Sequence, residues 1–530
     1  MLLCGGLSFV ATVRADEAIP ETPIEAVDRE HWAYRPLSSP VFPHVKDVTW
    51  QQTPIDAFIL AQLEELGLSG GRPATRETLL RRATFDLTGL PPTLEELAAF
   101  EIDNSPESYE RIVDRLLASS AYGERWGQHW LDLARFAETD GFEHDKLRPD
   151  AWKYRDWVID ALNRDLPYDE FVRQQLAGDA ITGGDPVATM FCLAGPDMPD
   201  VNDQLERRHF RLNELTSTVG AVFLGMQVGC AECHDHKYDP ISQVDFYRLR
   251  AIFEPAVPEL KRDVPYNMLA NQRDAQPARL WIRGDHRRPG PVIEAGLPRI
   301  ALPQDSHETK FRPESSAEWR AALADTLIHE AIPLTARVIV NRIWQQHFGR
   351  GLCATPSDFG LINDEPSDPE LLDWLANDLI EHDWSLKHLH RRIVLSATYR
   401  QASRRVTSSD RDWELRLAVD PDNRWLSRSP RRRLEGESLR DALLTVAGTL
   451  NRSQGGRGVQ APLPEELVQT LLKGQWTTSP DIGDHTRRSI YLFARRNLRF
   501  PILEAFDRPD ANASCAVRGR STTAPQALVL

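Results

Sequence analysis

A chain of 530 residues, 41% hydrophobic and 27% charged, reads as an ordinary globular protein that is too long for one core, so two or three domains are expected. Its net charge of −15 and pI near 5.5 argue against a broad nucleic-acid surface. Six cysteines are too few for a disulfide framework, and Cys192, Cys353 and Cys515 stand alone in the sequence.

From the N-terminus, Leu2 to Val13 is apolar but too short to span a bilayer, and Val13-Arg14-Ala15 sets small residues before Asp16. The pattern predicts a signal peptide over 1–15, although it lacks a basic start, and hence export to the periplasm or the extracellular space. No later run is apolar for long enough to cross a membrane. Residues 16–50 read as an extended, Pro-rich entry around His31-Trp32-Ala33-Tyr34-Arg35-Pro36.

A helical domain is expected over 51–255. Thr53-Pro54-Ile55-Asp56 reads as an N-cap, a first-turn proline and a capping acid, and the apolar stripe Ile55, Phe58, Ile59, Leu63, Leu66 stops at Gly67. Thr93 with Glu96 is a capping box, and Pro106 opens a helix burying Tyr109, Ile112, Val113, Leu116 and Leu117. Trp126, Trp130, Leu133 and Ala137 then recur at helical spacing as core. His129, Asp132 and Arg135 fall on an adjacent face at three-residue steps. An Asp beside a His orients an imidazole, but a surface row of ion pairs is the expectation here. Glu138, Asp140, Glu143 and Asp145 crowd a Gly-containing loop without EF-hand spacing, which reads as a solvated acidic loop. Helices at about 149–163 and 168–177 precede a loop carrying Met190, Cys192 and Met198. From Asn202 one long helix, with Val219, Val222, Phe223 and Met226 on its apolar side, is expected to run to Gly229.

Directly after it stands Cys230-Ala-Glu-Cys233-His234, followed by Asp235 and His236. Cys-x-x-Cys-His is the covalent haem attachment pattern: each thiol adds to one porphyrin vinyl group, and the adjacent imidazole reaches the iron. Two other readings use the same residues. One is a non-haem site in which Cys230, Cys233 and His236, with His234, hold zinc or another transition metal, although zinc usually draws its ligands from two separated knuckles. The other is a small disulfide loop between Cys230 and Cys233. For a haem, the sixth ligand must approach opposite His234. Met226 lies on the attachment side, and His209 sits about 30 Å back along an unbroken helix. His236 is too close to its neighbour to wrap around the ring. Met198, in a loop free to fold back, is the expected ligand, with His129 and His347 as alternatives and an open position as a further outcome.

Residues 256–315 form a Pro-rich connector with short alternating stretches, Arg279–Arg283 and Pro291–Ile293, that suggest a few strands. Helices resume over 316–530: 317–328, then Pro333 opening a helix closed by Gly349, then 369–382, 384–399 and 432–450. The Arg431–Arg433 run faces Glu435 and Glu437 and reads as locally paired. The fold class is therefore mainly α, two helical domains joined by a small strand-containing connector.

Several long motifs carry a family resemblance. Thr84-Phe-Asp-Leu-Thr-Gly-Leu-Pro-Pro-Thr93, Tyr122-Gly-Glu-Arg-Trp126, His129-Trp-Leu-Asp-Leu-Ala-Arg135 and Cys230-Ala-Glu-Cys-His-Asp-His-Lys237 resemble domain-of-unknown-function family 1549, also called planctomycete cytochrome domain two. The stretch Ala336 to Gly351, Pro369 to Ala376, Ser396-Ala-Thr-Tyr-Arg-Gln401, Arg432 to Glu435 and Phe506 to Asp510 resemble its usual companion, family 1553, planctomycete-specific domain one. The resemblance implies an exported protein. Relatives often carry a separate N-terminal cytochrome c domain, which this chain lacks, so any haem must sit at Cys230, Cys233 and His234. It also implies that a further C-terminal piece follows Leu530. The function expected is that of an exported c-type haem protein in electron transfer or redox chemistry, with a redox partner of unknown identity. The alternative is a periplasmic binding or assembly protein whose Cys/His cluster is structural or holds a non-haem metal. A hydrolase-like reading around His129, Asp132 and the acidic loop has no nucleophile elbow or phosphate loop behind it.

Overall fold

In a computed structural model the described residues are 21–257, 269, 277–304, 316–405, 411–471 and 474–529. The proposed signal peptide and much of the connector lie outside them. The longer helices are α1 (Ile55–Glu65), α2 (Arg76–Thr88), α3 (Leu94–Ile102), α4 (Ser108–Leu117), α5 (Ser120–Leu133), α6 (Ala151–Asn163), α7 (Tyr168–Ala177), α8 (Gln204–Val219) and α9 (Gln243–Phe253). A two-stranded antiparallel sheet follows, β1 (Arg279–Trp281) against β2 (Pro289–Val292). Then come α10 (Ser316–His329), α11 (Ile332–Phe348), α12 (Pro369–Glu381), α13 (Leu386–Leu395), α14 (Arg411–Val419) and α15 (Gly436–Val446). The molecule is mainly helical, with helical halves before and after a short strand region.

Local chemistry sets most helix ends. Thr93 and Glu96 close the expected capping box on α3, Ser242 and Asp245 make another on α9, and Gly349 ends α11 in the left-handed conformation at φ 82°. The start of α1 differs from expectation, because Asp56 does more than cap. Its carboxylate takes the N–H groups of Gln52 and Thr53 and, across the molecule, those of Ala397 and Thr398, each at 2.9 Å.

That contact illustrates how the halves combine. Rather than separate cores, one apolar cluster runs without a break from Trp32 to Ala494, with a small satellite of Ala461, Leu492 and Leu503. Helices α5 and α6 pack side by side, α2 crosses α5, α7 lies on α10, and α11 packs on α12. A chain that should divide by length instead buries α5 on nearly all sides, because the second half supplies the wall it lacks.

The helix expected to reach Gly229 stops at Val219. A π-helical turn over Gly220–Leu224 and a left-handed Gly225 at φ 61° reverse the chain. Gly220 is required there, since a Cβ would lie 2.5 Å from Val228 Cγ2. The returning segment runs back along α8, so the 30 Å separation between His209 and the cysteines does not arise.

Candidate functional site

Among the described residues, the cysteine turn and a cavity between the halves gather chemistry-bearing residues.

The cysteine turn is a short 3-10 helix, Val228–Glu232, clamped on both flanks. Glu232 accepts from Asn213 Nδ2 of α8 at 2.6 Å, and its carbonyl accepts from Gln243 Nε2 of α9 at 2.9 Å. Asp235 accepts from the Gln243 backbone N–H at 2.7 Å. Cys230 and Cys233 are free thiols, both exposed, and His234 is exposed beside them. The His234 Nδ1 lies 2.7 Å from the Asp235 carbonyl oxygen. A carbonyl only accepts, so Nδ1 carries the proton and the Nε2 lone pair is left for another partner. The connector reaches this turn as well: Gly284, at φ 70°, approaches so closely that a Cβ there would sit 2.7 Å from Cys233 Sγ.

His236 is turned away from the thiols. Its Nδ1 accepts from the Asp239 N–H at 2.8 Å, and Asp239 in turn accepts from the Leu361 N–H of the second half at 2.7 Å. The ligand atoms of Cys230, Cys233 and His236 therefore do not converge. Among the described residues the one group of three with ligand atoms within 4.8 Å is Asp378, His382 and His388. There Asp378 already accepts from His388 Nε2 at 3.0 Å and lies 3.5 Å from Arg392, so a cation would have to displace a guanidinium.

Met198 is not brought to the turn. Asp197, its neighbour, accepts from Arg207 and pairs with Arg211, while Glu232 meets His209 and Asn213. Residues two apart on an α-helix point about 200° from one another, so Asp197 and Glu232 bind opposite faces of α8. His209 is brought close, contrary to expectation, but both its ring nitrogens are engaged. Arg250 donates to Nδ1 at 3.0 Å, and Nε2 donates to the Gly284 carbonyl at 3.0 Å.

The second place is a cavity of about 230 Å³ lined by α5, α11 and the segment 515–520. Trp126 of α5 lies 3.9 Å from the His390 ring, 5.2 Å from His129 and 5.2 Å from His347. His347 Nε2 and His390 Nδ1 share a hydrogen bond at 2.9 Å, while His129 Nε2, His347 Nδ1 and His390 Nε2 have no partner among the described residues. Burial, with Arg125 the next cause for His129, Arg432 for His347 and His347 itself for His390, pushes all three imidazoles well below their usual range, so they stay neutral.

Neither the ion-pair row nor the solvated loop expected here forms. His129 and Arg135 are buried and Asp132 is half-buried, and they face different partners: Asp132 pairs with Arg518 at 2.6 Å and Arg135 with Glu214 at 2.7 Å. Burial raises the Asp132 carboxyl although Arg518 opposes it. Burial would also raise Glu435, but Arg125 and Arg518 hold it well below the carboxylate range. Of the acidic loop, Glu138 is buried under the Gly458 and Ala494 N–H groups, Asp145 pairs with Arg495 at 2.9 Å, and Asp140 pairs with Arg148 at 2.5 Å. Glu143 alone of the four is exposed. The hydrolase-like reading is thus not assembled, because Asp132 orients an arginine rather than His129. The Arg518 link from Asp132 to Glu437 had no local signal, since Asp132 lies 386 residues and Glu437 81 residues from Arg518 in the chain.

A helical protein whose halves share a core and present a free Cys-x-x-Cys-His turn is the class these features define. Comparison with family models places it further. Residues 54–257 match PSCyt2, a protein of unknown function (DUF1549), and residues 319–530 match PSD1, a protein of unknown function (DUF1553). The chain belongs to the family that joins these two domains in this order. No curated protein and no solved structure matches it.

Proposed function

We propose that this is an exported haem protein of the c type, in which Cys230 and Cys233 would hold haem through thioethers and His234 would bind its iron. The observation that carries the reading is the His234 Nδ1 contact to a backbone carbonyl beside two exposed free thiols. A hydrogen-bonded second nitrogen is the usual support of a ligating imidazole, fixing its tautomer and its orientation. The residues fit the group: both thiols are free to add their S–H across a vinyl double bond, and the turn carrying them is clamped by α8 and α9. Bound haem supplies one-electron chemistry. The chain's part would be to fix the His234 imidazole through its Nδ1 contact and to shield one side of Cys233 with the Gly284 backbone. The name of the first domain, a cytochrome domain, accords with this reading. Among the described residues no helix is long and apolar enough to cross a membrane, and export rests on the apolar leader.

The test is expression with a c-type maturation system. Denatured protein should retain haem through gel electrophoresis, and Cys230→Ala with Cys233→Ala should abolish it. N-terminal sequencing should start at or near Asp16. A colourless product under those conditions rejects the reading. Met198→Ala should leave the optical spectrum unchanged, because Met198 lies across α8 from the turn.

A second reading, a binding protein, is favoured by the interface cavity. Trp130, Leu133, Phe171 and Ile343 give it an apolar wall, and His129 lines it with an unpartnered nitrogen. A small apolar molecule bearing one hydrogen-bonding group suits that lining. Protection of Trp126 fluorescence from quenching by such a ligand, lost in His129→Phe, would support it.

A further inference from the structure

The Arg431–Arg433 run does not pair locally. Arg432 reaches Asp86 at 2.9 Å and Arg433 reaches Asp507 at 2.5 Å, while Glu435 pairs with Arg125 at 2.6 Å and Glu437 with Arg518 at 2.7 Å. The run instead lines a cleft of about 590 Å³ between α2, the 429–438 segment and Arg520. Eight arginines surround this cleft against three carboxylates, Glu77, Asp86 and Glu435. In a chain of net charge −15, such a local excess of cations does not follow from composition. Two of those three carboxylates are already matched by Arg432 and Arg125.

The remaining arginines are differently placed. Arg82 donates to the Gln401 carbonyl at 3.0 Å, and Arg81 lies over the Phe85 ring at 4.7 Å. Arg404, Arg431 and Arg520 are exposed and make no hydrogen bond or ion pair with any described residue. His347, buried and with Nδ1 unpartnered, lines the same cleft. Although the Arg520 side chain as a whole is exposed, partial desolvation of its guanidinium, then the neighbouring guanidiniums of Arg432, Arg433 and Arg125, lowers its pKa against the opposing pull of Glu435.

We propose that this cleft binds a compact polyanion, a small molecule carrying at least two phosphate or sulfate groups. Guanidinium forks match the oxygens of such groups two at a time, and an oxyanion relieves the mutual repulsion of the arginines. The volume lies within the roughly 300–1,000 Å³ of small-molecule sites. No residue of the cysteine turn lines the cleft, so the site is separate from the proposed haem attachment.

Isothermal titration calorimetry with inorganic tripolyphosphate and with a disulfated disaccharide tests this, using the unsulfated disaccharide as the neutral control. At least one of the two anions should bind, more weakly at high salt, and the tighter of them identifies phosphate or sulfate as the source. Arg431→Ala combined with Arg520→Ala should weaken binding by at least about tenfold. Neither side chain supports the fold, and circular dichroism should be unchanged. Arg452→Ala, outside the cleft, should bind as the wild type does. Repeating the titration on Cys230→Ala/Cys233→Ala protein should give the same affinity whether or not haem is present. No binding of either anion, equal binding of the neutral disaccharide, or binding indifferent to the double substitution would overturn the proposal. So would tighter binding of a short single-stranded oligonucleotide, which would mark an extended nucleic-acid surface instead.

Discussion

At the scale of single residues, the thiols differ most in what surrounds them. Cys192 is buried, and burial pushes its thiol up to about 12. Cys353 is buried and raised in the same direction, and Cys515 is half-buried and raised to about 11. Thiolate is the reactive form, so these three should resist a thiol reagent in the folded protein. In haem-free protein the exposed Cys230 should be modified first and Cys233 next, since burial and Glu232 raise its thiol too, with the other three reacting only on unfolding. Mass mapping after a short exposure to iodoacetamide checks the order. Early labelling of Cys192 would show that its packing is looser than described. Covalent haem should protect Cys230 and Cys233 together, which makes the same measurement a second test of attachment.

At the scale of elements, α1 and the α13–401 segment are joined through Asp56. It is fully buried and accepts from four backbone N–H groups and from Thr398 Oγ1 at 2.7 Å. Asp56→Ala strands those donors, and an unsatisfied buried donor costs about 1–3 kcal/mol. With water reaching some of them, a loss of about 3–5 kcal/mol in unfolding free energy is expected, measured from the urea midpoint. Asp56→Asn keeps one carbonyl oxygen and should recover part of the loss. An Ala variant as stable as the wild type would mean that the contact between the halves is not made in solution. The reversal after α8 is an element-scale feature too. It depends on Gly220 and Gly225, and it moves the cysteine turn from the far end of a long helix to the side of α8.

At the scale of the whole molecule, the shared core has a pH consequence. His129, His347 and His390 are buried and held neutral in the folded state. Unfolded, each takes up a proton below about pH 6.5, so the unfolded state binds more protons there. Their contribution is therefore intact above about pH 6.5 and is lost as pH falls, by up to about 1.4 kcal/mol per pH unit for each histidine. Asp368 works the other way, because burial raises its carboxyl to about 6 and protonation below that favours the fold. The informative quantity is thus the slope rather than the absolute stability. His390→Gln should flatten the fall in melting temperature between about pH 7 and pH 5 relative to the wild type. An unchanged slope would place His390 in contact with water.

What could be read from the chain alone is what neighbours in sequence decide. Capping boxes, Pro starts, Gly stops and the 3.6-residue apolar stripe located the helices, because each depends on contacts within one or two turns. The motifs around Tyr122, Cys230 and Ala336 identified the family for the same reason, as contiguous strings. Tertiary structure decided where polar groups find their partners. The acids of the 138–145 loop, the His129–Asp132–Arg135 series and the Arg431–Arg433 run all read as solvated or locally paired. Their actual partners, Arg495, Arg518 and Asp507 among them, come from far along the chain. Desolvation is the physical reason: once the two halves share one core, a charge at their boundary must be matched by whatever residue the packing presents. No spacing rule encodes that choice.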